Sequence, residues 1–541
     1  MELLHRKSFD TYRVNLHNPY TIFVELNKSI EKYNKKRIKN FDPTITSIVQ
    51  EATGFLQNCY LDCVFSFGTF GRKQAVTILD NTTKSDKDGK KNRTLALLCK
   101  SIEVENKEFK KNLFLKIKSL LVTDDKANFE QIDLYTSWLV TQLIHQGYSR
   151  KFILDRIRKS KTFLDNDSTI EIVFSKLNTV FDNNRDDYEA IFKIKPNSAD
   201  TLLIASNQIN ELDAFPKEFE NKRYISERFK ERSEGEKYLS VIINSLDFWS
   251  ALRTTYLLVT ETVEINCLHD IDNKITLDKQ ALIIHCSSRS YRMESIEENL
   301  DGFYDYQESD FVRFVENFKA LNGRSNVAYE KIRSAIRFYK LGNDSQEIEH
   351  KILNYWIGFE QLFSAIDTEE DSINRMKSFF IAINAVYYWQ RRTTYLLNRA
   401  GVNYSFENFT NSQLPVDPHP NPQIQHRLEK YVVLLNDKKE LRGSIEKHIK
   451  RLNQHLTRIY RVRNELVHEG RTSVDLFLIA GHLRHYLLFS IEQITNELIE
   501  NQTLGCLDDV FVYFENILER IKDANNIKEI FEIKKYTGYM E

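Results

Sequence analysis

Sixteen glycines and eight prolines among 541 residues are too few for a chain that reverses direction often, because these residues supply many of the backbone conformations that turns need. Four of the eight prolines fall in one stretch, NSQLPVDPHPNP at 411–422, where successive rings forbid a helix and predict a rigid surface loop. The remainder should run mostly in long helices. At this length one compact core is not enough, so two or three domains are expected. Hydrophobic residues make up 41% and charged residues 28%, a balance that supports packed globular domains and excludes a largely disordered chain.

The first half mixes two periodicities. Apolar residues at helical spacing (Ile45, Ile48, Val49, Ala52, Phe55, Leu56) predict a helix within 45–65. The polar run NTTKSDKDGKKNRT at 81–94 predicts a loop, with helices following at 107–122 and 127–146. From Gly147, GYSRKFILDRIRKS reads as a helix capped by Ser149 with a basic outer face. Segment 187–206 mixes β-branched and aromatic residues around a Pro-Asn turn and reads as a hairpin or strand pair, whereas 235–258 returns to helical spacing. TVEINCLHD (262–270) and ITLDKQALIIHC (275–286) read as two strands around an Asp-Asn turn. Neither a glycine-rich phosphate loop ending in Lys-Ser/Thr nor a Rossmann fingerprint is present, which argues against an ATPase or a dehydrogenase.

From Val327 onward the pattern is helical, with segments at 327–342, 346–366, 370–400, 424–437, 440–468, 472–499 and 507–523. GRSN at 323–326 reads as a linker. The expected fold is mainly α. It comprises a mixed α+β region over 1–324, divisible near 185–235, an antiparallel helical bundle over 325–525 and a tail over 526–541.

Six scattered cysteines (Cys59, Cys63, Cys99, Cys267, Cys286, Cys506) form no paired framework, as expected in a reducing compartment. Cys59 and Cys63, four apart with no second Cys pair or His nearby, read as core positions rather than metal ligands. The opening MELLHRKSFD is not an apolar signal region, and no apolar run approaches the ~20 residues of a membrane span. A cytoplasmic protein with no membrane partner is expected. The formal net charge of -1 hides an asymmetry: His426 to Arg471 holds twelve Lys/Arg and six Asp/Glu, a local +6, leaving -7 elsewhere. Such a stretch is either a phosphate-binding surface or a solvated helix face.

That stretch ends in RVRNELVHEG at 461–470. On a helix, Asn464 and His468 share one face with Arg463 beside them. Metal-free RNA cleavage needs a base for the ribose 2'-hydroxyl, an acid for the leaving 5'-oxygen and a cation for the phosphorane. His468 suits proton transfer, as histidine titrates near neutral pH. Arg463 suits the phosphate, since a guanidinium stays charged and binds two oxygens at once. Asn464 can orient the imidazole or contact the phosphate, and Gly470 predicts a helix stop just past His468. No metal or cofactor is called for.

Arginine followed by histidine at this spacing is common; Arg442 with His448 and Arg461 with His468 satisfy it too. Arg442, however, lies at a helix start beside Gly443 with no polar partner directly after it. RVRNELVHEG instead ends a long helix that another follows at once. Upstream, His448 and His455 read as surface residues. Arg458 and Arg461 can bind phosphate and Tyr460 can stack on a base, with Arg471 a further RNA contact, or these residues merely flank the helix.

The RVRNELVHEG string at such a helix junction resembles the signature of the HEPN superfamily, small helical domains found in many prokaryotic RNA-cutting toxins and defence proteins. ILNYWIGFEQLFSAI at 352–366 resembles the early HEPN helix, in which an aromatic or apolar run carries a glutamate, here Glu360. KIRSAIRFYKLG at 331–342 resembles the lead-in helix of the Apea-like HEPN branch, known from anti-phage abortive-infection proteins. The resemblance spans 325–525. It implies a metal-independent endoribonuclease of anti-phage defence that cuts cellular RNA such as tRNA and leaves a 2',3'-cyclic phosphate. The site would be composite, at the interface of a homodimer or higher even oligomer, with one histidine as base and its mate as acid.

On that resemblance Arg463, Asn464 and His468 are catalytic, with Glu360 and Arg461 in support. Glu360 reads more readily as a buried carboxylate paired with an arginine than as a catalytic group. The N-terminal region would sense a phage-derived trigger or restrain the nuclease. The rival reading is a non-catalytic HEPN module for dimerisation or RNA binding, with recognition by the N-terminal region. The three residue types retained at 463, 464 and 468 weigh against it.

Overall fold

The computed structural model describes residues 17–34, 42–82, 90–123, 125–159, 169–182, 184–196, 204, 206–266, 275–295, 308–364, 372–400, 419–469 and 476–534. The chain is mainly helical, with one small antiparallel sheet.

The N-terminal helices are Pro19–Asn34, Asp42–Leu56, Gly71–Thr82, Lys90–Glu105, Phe109–Val122, Phe129–His145, Arg150–Lys159 and Ile170–Val180. Asn18 starts the first of them: its Oδ1 accepts from the backbone N–H of Tyr20 at 2.9 Å and of Thr21 at 2.8 Å. Pro19 fills the first position, where a missing N–H costs nothing. The same Asn18 donates through Nδ2 to Trp138 O and Gln142 Oε1, both at 3.0 Å, and so pins the helix start to Phe129–His145. Ser149 caps Arg150–Lys159 as expected, accepting from Phe152 N at 3.1 Å. The loop expected over 81–94 is shorter, since Lys90 already opens a helix.

The sheet departs most from the expected pattern. Its order is β2-β3-β1-β4-β5, with β1 Asp186–Lys195, β2 Ile209–Leu212, β3 Lys237–Ser245, β4 Thr276–His285 and β5 Tyr291–Ser295. β1 is central, paired antiparallel with β3 and β4, so 187–206 is not a hairpin. Segment 235–258 is not one helix either. KYLSVIINS forms β3, and the helix Phe248–Asn266 follows after Asp247, whose Oδ1 accepts from Ser250 N at 2.8 Å. The β-branched run fits the pleat better than a helix, and the buried Asp247 marks the switch between the two periods. Residues 262–266, expected as a strand, complete that helix; 267–270 lie outside the described residues.

The helix Phe248–Asn266 covers one face of the sheet and carries Val259 and Val263 into the main core. On the other face Phe215, Phe219, Phe229 and Tyr238 form a separate small core with Ile191 and Leu282. Both faces are therefore apolar, which explains why β1 and β4 show buried runs rather than strict alternation.

Helices Glu308–Arg324, Asn326–Asp344, Ile348–Phe363, Ser372–Val386, Tyr388–Ala400, Pro422–Leu435, Lys438–Glu469, Leu476–Glu500, Leu507–Asp523 and Ile527–Ile533 make up the C-terminal part. The single helix expected over 370–400 is broken at Tyr387. Of the proline-rich loop, residues 411–418 lie outside the described residues. Glu308–Arg324 packs on Leu476–Glu500: Asn317 Nδ2 donates to Asn496 Oδ1 at 2.9 Å, and Arg324 caps the C-terminal end of that helix through Ile499 O, Asn501 O and Leu504 O. Leu476–Glu500 is buried nearly all round, so its polar residues must find partners inside the protein.

Two glycines allow these helices to approach closely. A Cβ at Gly358 would lie 3.0 Å from Leu487 Cδ2 and 3.2 Å from Ala335 O. One at Gly342 would lie 2.3 Å from the ring of the fully buried Tyr355. In a helix, alanine is favoured over glycine by about 1 kcal/mol, but overpacking against a rigid ring costs about 1–3 kcal/mol. Gly342→Ala is therefore expected to lower the unfolding free energy in a urea titration. An unchanged or raised midpoint would show that Tyr355 moves aside freely.

Candidate active site

The helix that carries the candidate site starts at an aspartate. Asp437 Oδ1 accepts from Lys439 N at 2.8 Å and Glu440 N at 3.1 Å, capping Lys438–Glu469. Leu441, Ile445, Leu452, Leu456, Ile459, Val462 and Leu466 form its buried stripe at spacings of three, four and seven. The helix lasts 32 residues and places His468 in its final turn, exposed to solvent. Arg463 and Asn464 are half-buried one turn earlier, and Arg463 Nη1 donates to Asn464 Oδ1 at 3.0 Å. The amide oxygen of Asn464 is thus held by Arg463, not by the imidazole it was expected to orient. Gly470 and Arg471 lie outside the described residues.

Arg458 and Arg461, expected to face RNA, instead turn inward onto the N-terminal helices. Arg458 Nε lies 3.2 and 3.1 Å from the two oxygens of Glu25, its Nη2 lies 3.0 Å from Glu25 Oε2, and Nη2 also donates to Glu51 Oε2. Arg461 Nη2 donates to Glu25 Oε1 at 2.6 Å. His17 Nε2 lies 2.9 Å from Glu25 Oε2. Two turns along from Glu25, Lys32 Nζ lies 2.7 Å from Glu465 Oε1. Burial alone would raise the Glu25 carboxyl, but Arg458, His17 and Arg461 together hold it well below the usual carboxylate range. A second seam joins the same two parts of the chain. Asp133 accepts from Arg427 Nε at 2.8 Å and from Gln423, and Lys430 Nζ donates to Glu130 at 2.8 Å.

The remaining candidates are also placed by packing. Tyr460, expected to stack on a base, packs its ring 5.6 Å from that of Trp356. Glu360 is half-buried on Ile348–Phe363. His448 and His455 are not surface residues: they are 1% and 0% exposed. His448 Nε2 lies 3.0 Å from Asn384 Oδ1, and its ring stacks on Tyr388. His455 links across to the next helix, with Nδ1 2.7 Å from Tyr486 Oη and Nε2 2.8 Å from His482 Nδ1. Cys59 and Cys63, read as core, are exposed. Among the described residues no group of three or more metal-ligating side chains forms, and no helix is long and apolar enough to cross a membrane.

Glu25, Glu51, His17, His482 and Tyr486 were not singled out by any motif. One available signal was the local excess of arginine on a helix with a buried stripe, which requires acidic partners from elsewhere in the chain.

The histidine pair sets a pH dependence. Burial, then Arg458 and His17, push His455 down to about 3; burial, then His455, Arg150 and His485, hold His482 well below its ordinary value. Below pH 6.5 the unfolded chain takes up protons that these buried rings refuse, so their contribution is intact above that pH and is lost as the pH falls. The slope approaches about 1.4 kcal/mol per pH unit for each histidine. Thermal unfolding followed from pH 7.5 to pH 5 should show a falling Tm, with a shallower fall in His482→Gln. Equal slopes in the two proteins would remove these rings as the cause. No protein-family model, curated protein or solved structure matches the chain.

Proposed function

We propose that this chain is a metal-independent endoribonuclease of the HEPN kind, acting in prokaryotic anti-phage defence on cellular RNA such as tRNA. The observation that carries the reading is the end of the long helix. Arg463, Asn464 and His468 occupy its last two turns, with His468 exposed and Arg463 in contact with Asn464. The helices from Asn326 to Asp523 would form the HEPN bundle, and the end of Lys438–Glu469 would be its catalytic end.

In this reading a phosphate binds the Arg463 guanidinium, which has donors beyond the one that Asn464 accepts. His468 takes the proton from a ribose 2'-hydroxyl, the 2'-oxygen attacks the adjacent phosphorus, and the P–O5' bond breaks. One copy offers a single His468, and the leaving oxygen needs a proton from another group. Two copies related by a two-fold axis supply both roles, one imidazole as base and one imidazolium as acid. Arg463 stabilises the phosphorane charge.

The test compares wild type with His468→Ala on total tRNA and mRNA in excess EDTA. Cleavage by wild type with 2',3'-cyclic phosphate ends is expected, falling by about 10²–10⁴-fold in the variant, the usual contribution of a general acid or base. Expression in cells should arrest growth for wild type and not for the variant. RNA binding by both with cleavage and toxicity from neither would replace the nuclease by a binding module.

A further inference from the structure

The helix Pro19–Asn34 reaches the face of the long helix that leads to His468 through long charged side chains, beside Asp42–Leu56, which packs on the long helix directly. Glu25 meets Arg458 and Arg461, and Lys32 meets Glu465. Glu25 and Lys32 are seven residues apart, as are Arg458 and Glu465, so the two helices advance together in the same direction by about 10.5 Å. Arg461 and His468 are also seven apart and share that face. The next step past the Lys32–Glu465 pair is therefore the catalytic end itself.

The Glu25 carboxylate receives the contacts a phosphate would receive. The guanidinium fork of Arg458, a second guanidinium from Arg461 and the imidazole of His17 all converge on it. Arg461 has further capacity, because its Nη1 is buried without a hydrogen-bond partner among the described residues and its Nε makes no hydrogen bond, lying 3.8 Å from Glu465 Oε1. A phosphate, with more acceptor oxygens than a carboxylate, would use those donors. Buried ion pairs add little net stability, since desolvation offsets their attraction, and well-packed apolar residues would hold the same interface. A charged cluster differs in that its anion can be exchanged for another.

We propose that Arg458 and Arg461 form a phosphate-binding subsite for RNA beside His468, and that Glu25 and Glu51 occupy it in cis. RNA then fills this subsite only when the helix Pro19–Asn34 lifts, while His468 stays exposed throughout. The subsite rests on the nuclease reading above for its ligand and deepens it by naming how RNA binding next to the catalytic end is held back.

The experiment uses the full chain carrying His468→Ala, so that a fluorescent single-stranded RNA stays intact, and measures affinity as a function of salt. Lys32→Glu opposes Glu465 at the open end of the contact without stranding either arginine. It should speed amide exchange across 19–34, tighten RNA binding by about tenfold and steepen the log–log salt slope by about 1.4, for two phosphates at about 0.7 each. Adding Arg458→Gln and Arg461→Gln should remove the gain. Faster exchange with unchanged affinity, or a gain that survives loss of both arginines, overturns the proposal. If Lys32→Glu leaves exchange unchanged, Glu25→Gln with Glu51→Gln removes the competing charge directly, and unchanged affinity there overturns it too. Restoring His468 separates the two ideas. An opened protein that binds RNA tightly without cutting it keeps the subsite and removes the nuclease; one that cuts keeps both.

Discussion

Two arginines in the second half of a 32-residue helix are neutralised by glutamates more than 400 residues away in sequence. Much of the architecture between them serves to make that meeting possible. Arg458 is buried, and a buried guanidinium without a counter-charge is not tolerated. Glu25 and Glu51 are therefore brought to it by two helices of the N-terminal part, of which Asp42–Leu56 packs directly on the long helix. Asn18 fixes the position of the first of those helices by bonding to Phe129–His145, and Asp133 on that helix binds Arg427 in turn. The N-terminal layer is thus registered on the C-terminal helices by charge at two separate places, and a slip of either helix by one turn would leave several buried ions unmatched.

The sheet lies between the two helical parts in sequence and carries an apolar core on each face. Its inner face lies on Phe248–Asn266, and from that helix Tyr256 Oη donates to Gln346 O at 2.5 Å while Arg253 lies over the Phe477 ring. Ser149, which caps a helix of the N-terminal layer, also donates to Asp247 at the start of the same helix. Phe248–Asn266 consequently touches all three parts. Burial raises the Asp247 carboxyl while the Ser149 and Ser250 donors oppose it, so that junction relies on hydrogen bonds more than on charge.

What periodicity could read, it read well. Leu507–Asp523 matches its expected bounds, and the long helix ends where the run of apolar residues stops. Segments whose apolar residues suit either period were misread: KYLSVIINS fits a helical template by spacing, yet its β-branched residues and the pairing surface offered by β1 made it a strand. The histidines were misread for a different reason. His455 lies on the buried side of the helix, but only Tyr486 and His482, contributed by another helix, make burial of its ring affordable in hydrogen bonds. The candidate trio at the helix end was legible because its members are neighbours in sequence. The Glu25 cluster was not, because no local pattern points across such a distance.

A chain is made from its N-terminus, and that order matters for a contact spanning 433 residues. At the usual pace of synthesis, about 5–20 residues per second, Glu25 emerges some ~20–90 s before Arg458 exists. The helices that bear the glutamates are complete and able to fold while the basic helix is still unmade. When its arginines appear, their counter-ions are already waiting on the same molecule at high effective concentration, and any anion from solution must compete with them. The glutamates are therefore in place earlier in the life of each molecule than the arginines they neutralise.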